Sequence, residues 1–496
     1  MAQFSNIVLE KTISFFTRSK CSLLGGIIVL ILFPVLLVSI LLDMQGVVEN
    51  PYFGFLIYMV MGPLFVIGLL LIIGGTLFCG EKGDLGIITV EYFKEQLSLP
   101  GRFSRVRRLI FLSSFITFVT LVIVGVVTYT GFHYTESVSF CGQFCHSVME
   151  PEYVTYKNSP HSQVPCVQCH IGKEAEWLTK SKFSGARQLL AVLFDSYPRP
   201  IPTPIKALRP TRGTCENCHR PEVFHGDKLY VEDKFLADEQ NTHVQTVMVM
   251  RIGSGGYSGR KAHGIHWHVS EDHTVSYVGS ADHEYISEVT LVDAEGKRKV
   301  YRRETVSGGK EMVGERVMDC MDCHNRPTHV FKSADDALNE KLLTGIIPSD
   351  IPYIKRQGLA AVTKEYSSQD EARRSIAREI MDWYRKEYPE IVAQQEEKLA
   401  MAVRGIQEAY VENVFPRMNI GWETYMSFTC HKKNGGCFRC HNEEFKTDGG
   451  ETITTDCNAC HIILAEEEKA RDMTEILKSA VRQASESALP SRRGEE

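Results

Sequence analysis

The chain carries no excess of positive charge. Its 55 Lys and Arg are outnumbered by 61 Asp and Glu, a net charge of −6, and that mild balance argues against nucleic acid as a partner. A cleaved leader is not expected either. The first long apolar run, residues 23–42, has no small-x-small cleavage site ahead of Asp43, and a second run follows closely, so it reads as a membrane span. No histidine falls within the apolar runs at 23–42, 53–78 and 109–130. A metal group held between spanning helices by a histidine pair is therefore not expected. After residue 200 regular apolar runs are scarce, so something other than an ordinary hydrophobic core should hold that part together.

Each of the three runs has the roughly 20 apolar residues that a membrane crossing needs. Lys11, Arg18 and Lys20 precede the first, and the loop before the second holds Asp43 and Glu49 but no Lys or Arg. The loop at 80–108 carries Lys82, Lys94, Arg102, Arg105, Arg107 and Arg108. The positive-inside rule puts the N-terminus and this basic loop in the cytoplasm, and everything after residue 131 outside the inner membrane. Pro34 and Pro63 read as tolerated membrane prolines. Residues 87–97 read as a short amphipathic helix on the inner surface.

The cysteines supply the chemistry. Five C-x-x-C-H motifs are present: Cys166, Cys169 and His170; Cys215, Cys218 and His219; Cys320, Cys323 and His324; Cys437, Cys440 and His441; Cys457, Cys460 and His461. A sixth, Cys141, Cys145 and His146, has one extra residue between the thiols. In this motif two thiols bind the haem vinyl groups and the adjacent histidine reaches the iron. Chance would place on the order of 0.01–0.02 such motifs in this composition. Zinc knuckles pair C-x-x-C units but need no histidine after each second cysteine. Six haems c are therefore expected. They require assembly outside the cytoplasmic membrane, the side the charge pattern indicates independently.

Eleven of the 17 histidines remain to act as distal ligands. His161 lies five residues before Cys166, His225 follows the third motif, and His329 lies five residues after His324. His329 should serve a neighbouring haem, because His324 already approaches its own. In KAHGIHWH, His266 and His268 share the parity of a strand face and are expected to ligate haem rather than zinc. His431 is read as a distal ligand. The alternative, a seventh haem held by Cys430 alone, is disfavoured because single-thiol attachment is rare.

The fold class expected is a membrane-anchored multihaem cytochrome c: three transmembrane helices plus a haem-packed, mostly α/irregular periplasmic domain with a small β insertion. The anchor takes residues 1–131 and a module with haems one to three takes 132–230. A β-rich insertion with the histidine cluster follows at 231–310, with GIHWHV among its strands and a hairpin at Glu295–Gly296. Haem four occupies 311–332. Helical periodicity marks 333–414 as two or three helices, haems five and six take 415–465, and 466–496 is a polar tail. The stretch after His461 reads as a polar helix. Residues 171–197 read as an amphipathic helix on which Lys182 could bind or deprotonate a quinol.

The stretch FCGQFCHSVMEPEYVTYKNSPHSQVPCVQCHIG resembles the NapC/NirT family of membrane-anchored multihaem quinol dehydrogenases. GIHWH, MDCHNRPTH and GCFRCH, in that order, are similar to the longer inner-membrane cytochromes of metal-respiring bacteria, where a histidine ahead of GCFRCH is familiar. The resemblance implies oxidation of menaquinol or ubiquinol at the first haem, beside the lipid bilayer, and delivery of electrons to periplasmic c-type cytochromes. In small members a methionine after the first motif can ligate the first haem, so His146 and Met149 both stand as its ligand here. Glu136, Glu150 and Glu152 are candidate bases for the quinol protons. The rival readings are a passive electron-transfer subunit of a larger respiratory complex and a periplasmic oxyanion reductase. The oligomeric state is not legible.

Overall fold

A computed structural model of the chain describes residues 19–44, 53, 56–78, 103–144, 146–171, 184–185, 187–205, 211–220, 226–253, 262–304, 311–429, 431 and 435–478. It divides into two units, Met1–Met149 with Pro165–Val167, and Glu150–Val164 with Gln168–Glu496.

In the first unit, α1 (Lys20–Met44), α2 (Gly62–Phe78) and α3 (Phe103–Thr135) supply three segments long and apolar enough to cross a membrane. A π-helical turn, Leu56–Met61, leads into α2. Pro63 stands in the first turn of α2, where a missing N–H costs little, and Pro34 lies inside α1, which continues past it. The α1 and α2 backbones approach through small residues: a Cβ on Gly25 would stand 2.5 Å from the Gly68 carbonyl oxygen, and one on Gly75 would stand 2.6 Å from the Ser22 nitrogen. Such contacts drive helix association where the solvent is lipid. The α3 helix runs past residue 130 to Thr135, so one histidine, His133, does fall in the third candidate span. Its ring lies against Tyr129 and Phe132. The expected surface helix at 87–97 lies outside the described residues.

The second unit is built from two antiparallel sheets and a helical bundle. Strands β1 (Lys228–Phe235) and β2 (His243–Met250) pair along eight residues. Strands β3 (Thr274–Gly279), β4 (Ile286–Val292), β5 (Arg298–Arg303), β6 (Arg316–Val317) and β7 (Phe445–Lys446) form a five-stranded sheet in the order β6-β3-β4-β5-β7. The β4–β5 hairpin turns at Gly296, whose φ of 79° suits glycine. The last strand, β8 (His461–Lys469), completes a three-stranded sheet in the order β1-β2-β8.

Two local expectations give way here. His461–Lys469 is a strand, not a helix, because pairing with β2 overrides the helix propensity of its glutamates and lysine. GIHWHV is not a strand either. Ile265–Val269 is a 3-10 turn following Gly264, whose φ of 69° breaks the extended chain. The β structure is also broader than an insertion confined to 231–310, since the sheets recruit β6 at Arg316–Val317, β7 at Phe445–Lys446 and β8 at His461–Lys469.

Five helices follow at Ala334–Leu343, Ile354–Val362, Gln369–Glu387, Pro389–Gln394 and Glu396–Val411. Ser333 and Ser368 cap two of them through side-chain hydrogen bonds. Leu338, Ile354, Ile376, Tyr384, Leu399, Ile406 and Tyr410 fill their common core. This segment therefore does carry an ordinary hydrophobic core, and Phe235 of β1 joins it.

A buried cation locks β1 to these helices. Lys355, 2% exposed, donates to the Phe235 carbonyl, to Asn339 Oδ1 at 2.6 Å and to Asp335 Oδ1 at 2.9 Å. Asn339 Oδ1 also accepts from the Phe235 backbone N–H at 3.0 Å. Lys355→Met leaves a buried carbonyl without its donor, so we expect a loss of about 2–4 kcal/mol in stability. A lowered denaturation midpoint of the haem-loaded protein would show it, and an unchanged midpoint would make the pair dispensable.

Candidate haem-binding sites

Each C-x-x-C-H motif folds as one helical turn. The His219 N–H donates to the Cys215 carbonyl at 2.8 Å, His324 to Cys320 at 2.8 Å, and His441 to Cys437 at 3.0 Å. Spacing of three and four residues in such a turn puts both thiols and the imidazole on one face. The second motif is the short helix Cys166–His170. Cys141 of the first motif lies on a π-helical turn, Ser139–Phe144. Cys145, His225, Cys430 and Lys182 lie outside the described residues, as does the side chain of His146. Helix His146–Lys157 carries Met149, half-buried, in its first turn.

Sheet edges position the later motifs. Strand β6 at one edge of the five-stranded sheet runs into Cys320, and β7 at the other edge follows His441. His461 opens β8. Two motifs are capped by an aspartate directly before the first cysteine: Asp319 Oδ1 accepts from the Met321 N–H at 2.8 Å, and Asp456 Oδ1 from the Asn458 N–H at 2.9 Å. The Asp-Cys pairs are a sequence signal for these caps that spacing alone does not use.

The thiols also meet from motif to motif. Cys141 and Cys166 share a hydrogen bond in the first unit. In the second, Cys215 bonds Cys320 and lies within electrostatic reach of Cys169. Cys323 is similarly near Cys437 and Cys440, and Cys460 near Cys437.

Four of the remaining histidines pair with motif histidines. Ring centroids of His161 and His219 are 6.0 Å apart, His170 and His329 6.4 Å, His268 and His441 5.6 Å, and His431 and His461 6.0 Å. His266 lies within electrostatic reach of His324. Two imidazoles bound to one metal through bonds of about 2.0–2.1 Å place their centroids roughly 6 Å apart, so these separations fit a bis-histidine iron. The adjacent His266 and His268 thus face two different motifs, not one. A 3-10 turn points residues two apart in different directions, whereas strand parity would have aligned them.

Backbone carbonyls set the tautomers. Nδ1 of His161 meets the Pro327 oxygen at 3.1 Å, His329 that of Glu152 at 2.9 Å, His268 that of Ile265 at 2.8 Å and His441 that of Thr454 at 2.8 Å. A carbonyl only accepts, so each Nδ1 carries the proton and each Nε2 presents a lone pair. Nε2 of His268 and Nε2 of His441 then face each other at 3.4 Å. Two lone pairs so opposed suit a shared metal, for which bonds of about 2.0–2.1 Å would set the two nitrogens roughly 4 Å apart. Burial lowers the pKa of His170, His266, His268 and His324, and drives that of His329 down to about 4. These imidazoles are therefore neutral and able to ligate. Of the candidate bases, Glu136 follows α3 and is half-buried. Glu152 is half-buried, its pKa raised by desolvation, with Oε2 lacking a hydrogen-bond partner among the described residues.

Comparison with known proteins gives the family. The N-terminal region of the NapC/NirT cytochrome c family matches residues 104–200. The chain is 34% identical over 470 residues to the cytochrome c-type protein ImcH of Geobacter sulfurreducens, covering 93% of this chain and 90% of that one. No solved structure matches it. With three apolar helices, thiol motifs and paired imidazoles in place, the chain belongs to the NapC/NirT cytochrome c family, as a membrane cytochrome that binds haem c covalently and transfers electrons.

Proposed function

We propose that this protein oxidises menaquinol or ubiquinol at the outer face of the inner membrane and passes the electrons through six haems c to periplasmic c-type cytochromes. The observation that carries this reading is the continuity of α3 with the first motif. The helix ends at Thr135, and the turn bearing Cys141 follows directly, with the Cys141 N–H donating to the Ser137 carbonyl at 3.1 Å. Tyr58, Tyr134, Phe140 and Phe144 form a run of ring contacts there. Aromatic rings favour the membrane–water interface, and their flat faces suit a quinol ring.

Haem c supplies reversible one-electron transfer. The chain's residues do the rest. Six cysteine pairs would hold the cofactors, and His146 or Met149, His170, His219, His324, His441 and His461 would bind from the motif side. His329, His161, His266, His268 and His431 would complete the second to sixth sites in that order. Glu136, next to α3, takes a quinol proton, and Lys182 assists binding. Glu152 acts through its carbonyl, which orients the His329 ring.

The orientation expected from the loop charges gives a test. Right-side-out membrane vesicles bearing the protein should reduce an added soluble cytochrome c at the expense of quinol, and inside-out vesicles should not. Equal rates in both would contradict the topology. No quinol-dependent reduction in either would favour a passive subunit.

A further inference from the structure

The fourth and fifth motifs, 117 residues apart between Asp322 and Arg439, are gripped from two sides. Asp322 lies between Cys320 and Cys323, and Arg439 between Cys437 and Cys440. The Arg439 guanidinium donates from Nη2 to the Asp322 carbonyl, from Nη1 to the His283 carbonyl at 2.6 Å and from Nε to the Gly436 carbonyl at 2.9 Å. It lies over the Phe428 ring at 3.8 Å. The Asp322 carboxylate is itself fixed: 1% exposed, it accepts from Tyr277 Oη at 2.5 Å, Arg316 Nε at 3.2 Å and the Asp319 N–H at 2.6 Å.

The second grip is the turn Ile265–Val269. His266 and His268, which face the fourth and fifth motifs, are separated only by Trp267. The Trp267 ring stacks on His273 at 3.9 Å and packs into the same core as Tyr277, Phe445 and Cys440. One short turn thus supplies distal ligands to two sites, while one guanidinium ties together the loops that carry their proximal ligands. Neither site can move without the other.

We propose that Arg439 and Trp267 are positioning residues that hold the fourth and fifth haem sites as a single rigid pair, so that the two titrate as a coupled couple and not as independent centres. The proposal rests on the six-haem reading above. A planar guanidinium with three directed donors suits this role, and an ammonium cannot reproduce it. Arg439→Lys therefore separates geometry from charge, which it retains.

The test uses the full-length haem-loaded protein in detergent. Intact mass counts the haems, spectroelectrochemistry follows their one-electron transitions, and paramagnetic resonance of the oxidised protein reads their magnetic interaction. In Arg439→Lys and in Trp267→Phe, six haems should remain. Two transitions should move together by roughly threefold or more in equilibrium constant, about 28 mV at ~59 mV per tenfold, with the magnetic interaction weakened and the other four transitions unmoved. All six transitions unchanged, or only one moved, in a variant that keeps six haems would overturn the pairing. Should Arg439→Lys lose a haem, Trp267→Phe decides. Fewer than six haems in the unaltered protein would instead overturn the six-haem reading.

Discussion

Replacing His329 by alanine should convert one haem in six from low-spin to high-spin. The His329 ring stands 6.4 Å from that of His170, across the second site. Its Nδ1 is tied to the Glu152 carbonyl at 2.9 Å, which leaves Nε2 as the ligating atom. Burial pushes its pKa down to about 4, so the ring would be neutral and able to ligate throughout the physiological pH range. Alanine would remove that ligand and offer no substitute. The measurement is the high-spin fraction in the absorption and paramagnetic resonance spectra of the oxidised protein. His243→Ala is the control. His243 bonds Asp233 at 2.7 Å and stacks on Phe235 in the β1–β2 sheet, so its loss should leave the spin state unaltered. An unchanged spectrum in His329→Ala would remove the pairing with His170.

The second large effect comes from cutting the row of haems in the middle. Thiol hydrogen bonds join Cys141 to Cys166 and Cys215 to Cys320, while Cys169 lies within electrostatic reach of Cys215, Cys323 of Cys437 and Cys460 of Cys437. Within the second unit, neighbouring thiols therefore follow chain order. The double variant Cys320→Ala, Cys323→Ala should carry five haems. On mixing with a quinol, the haems on the first three motifs should reduce at the normal rate. The last two should lag far behind, since the electrons would have to cross the gap left by the missing haem. Rapid-mixing spectroscopy resolves the two populations. Five haems reduced in a single phase would mean that the fourth site is bypassed.

The motifs and spans were legible because their chemistry is local. Covalent attachment demands two thiols and a histidine in one turn, and a membrane crossing demands about 20 apolar residues in a row. The candidate distal histidines were also visible as residues. Their partners were not, because pairing is set by tertiary structure: His329 meets His170 and His161 meets His219, each across a long separation in sequence. Parity failed for His266 and His268 because Gly264 starts a tight turn where a strand was expected. The glutamates of β8 read as helix, yet β2 supplied an edge that paired them. Asp322 and Arg439 went unnoticed because they occupy the variable positions inside C-x-x-C-H, where the attachment chemistry makes no demand on residue type.

The central claim is that electrons enter from quinol at the membrane-side end of this row. Anaerobic rapid mixing of the purified, fully oxidised protein with a menaquinol analogue tests it most directly. The account predicts reduction of all six haems on a catalytic timescale, slowed by a quinone-site inhibitor. No haem reduction on that timescale, with inhibitors having no effect, would contradict it.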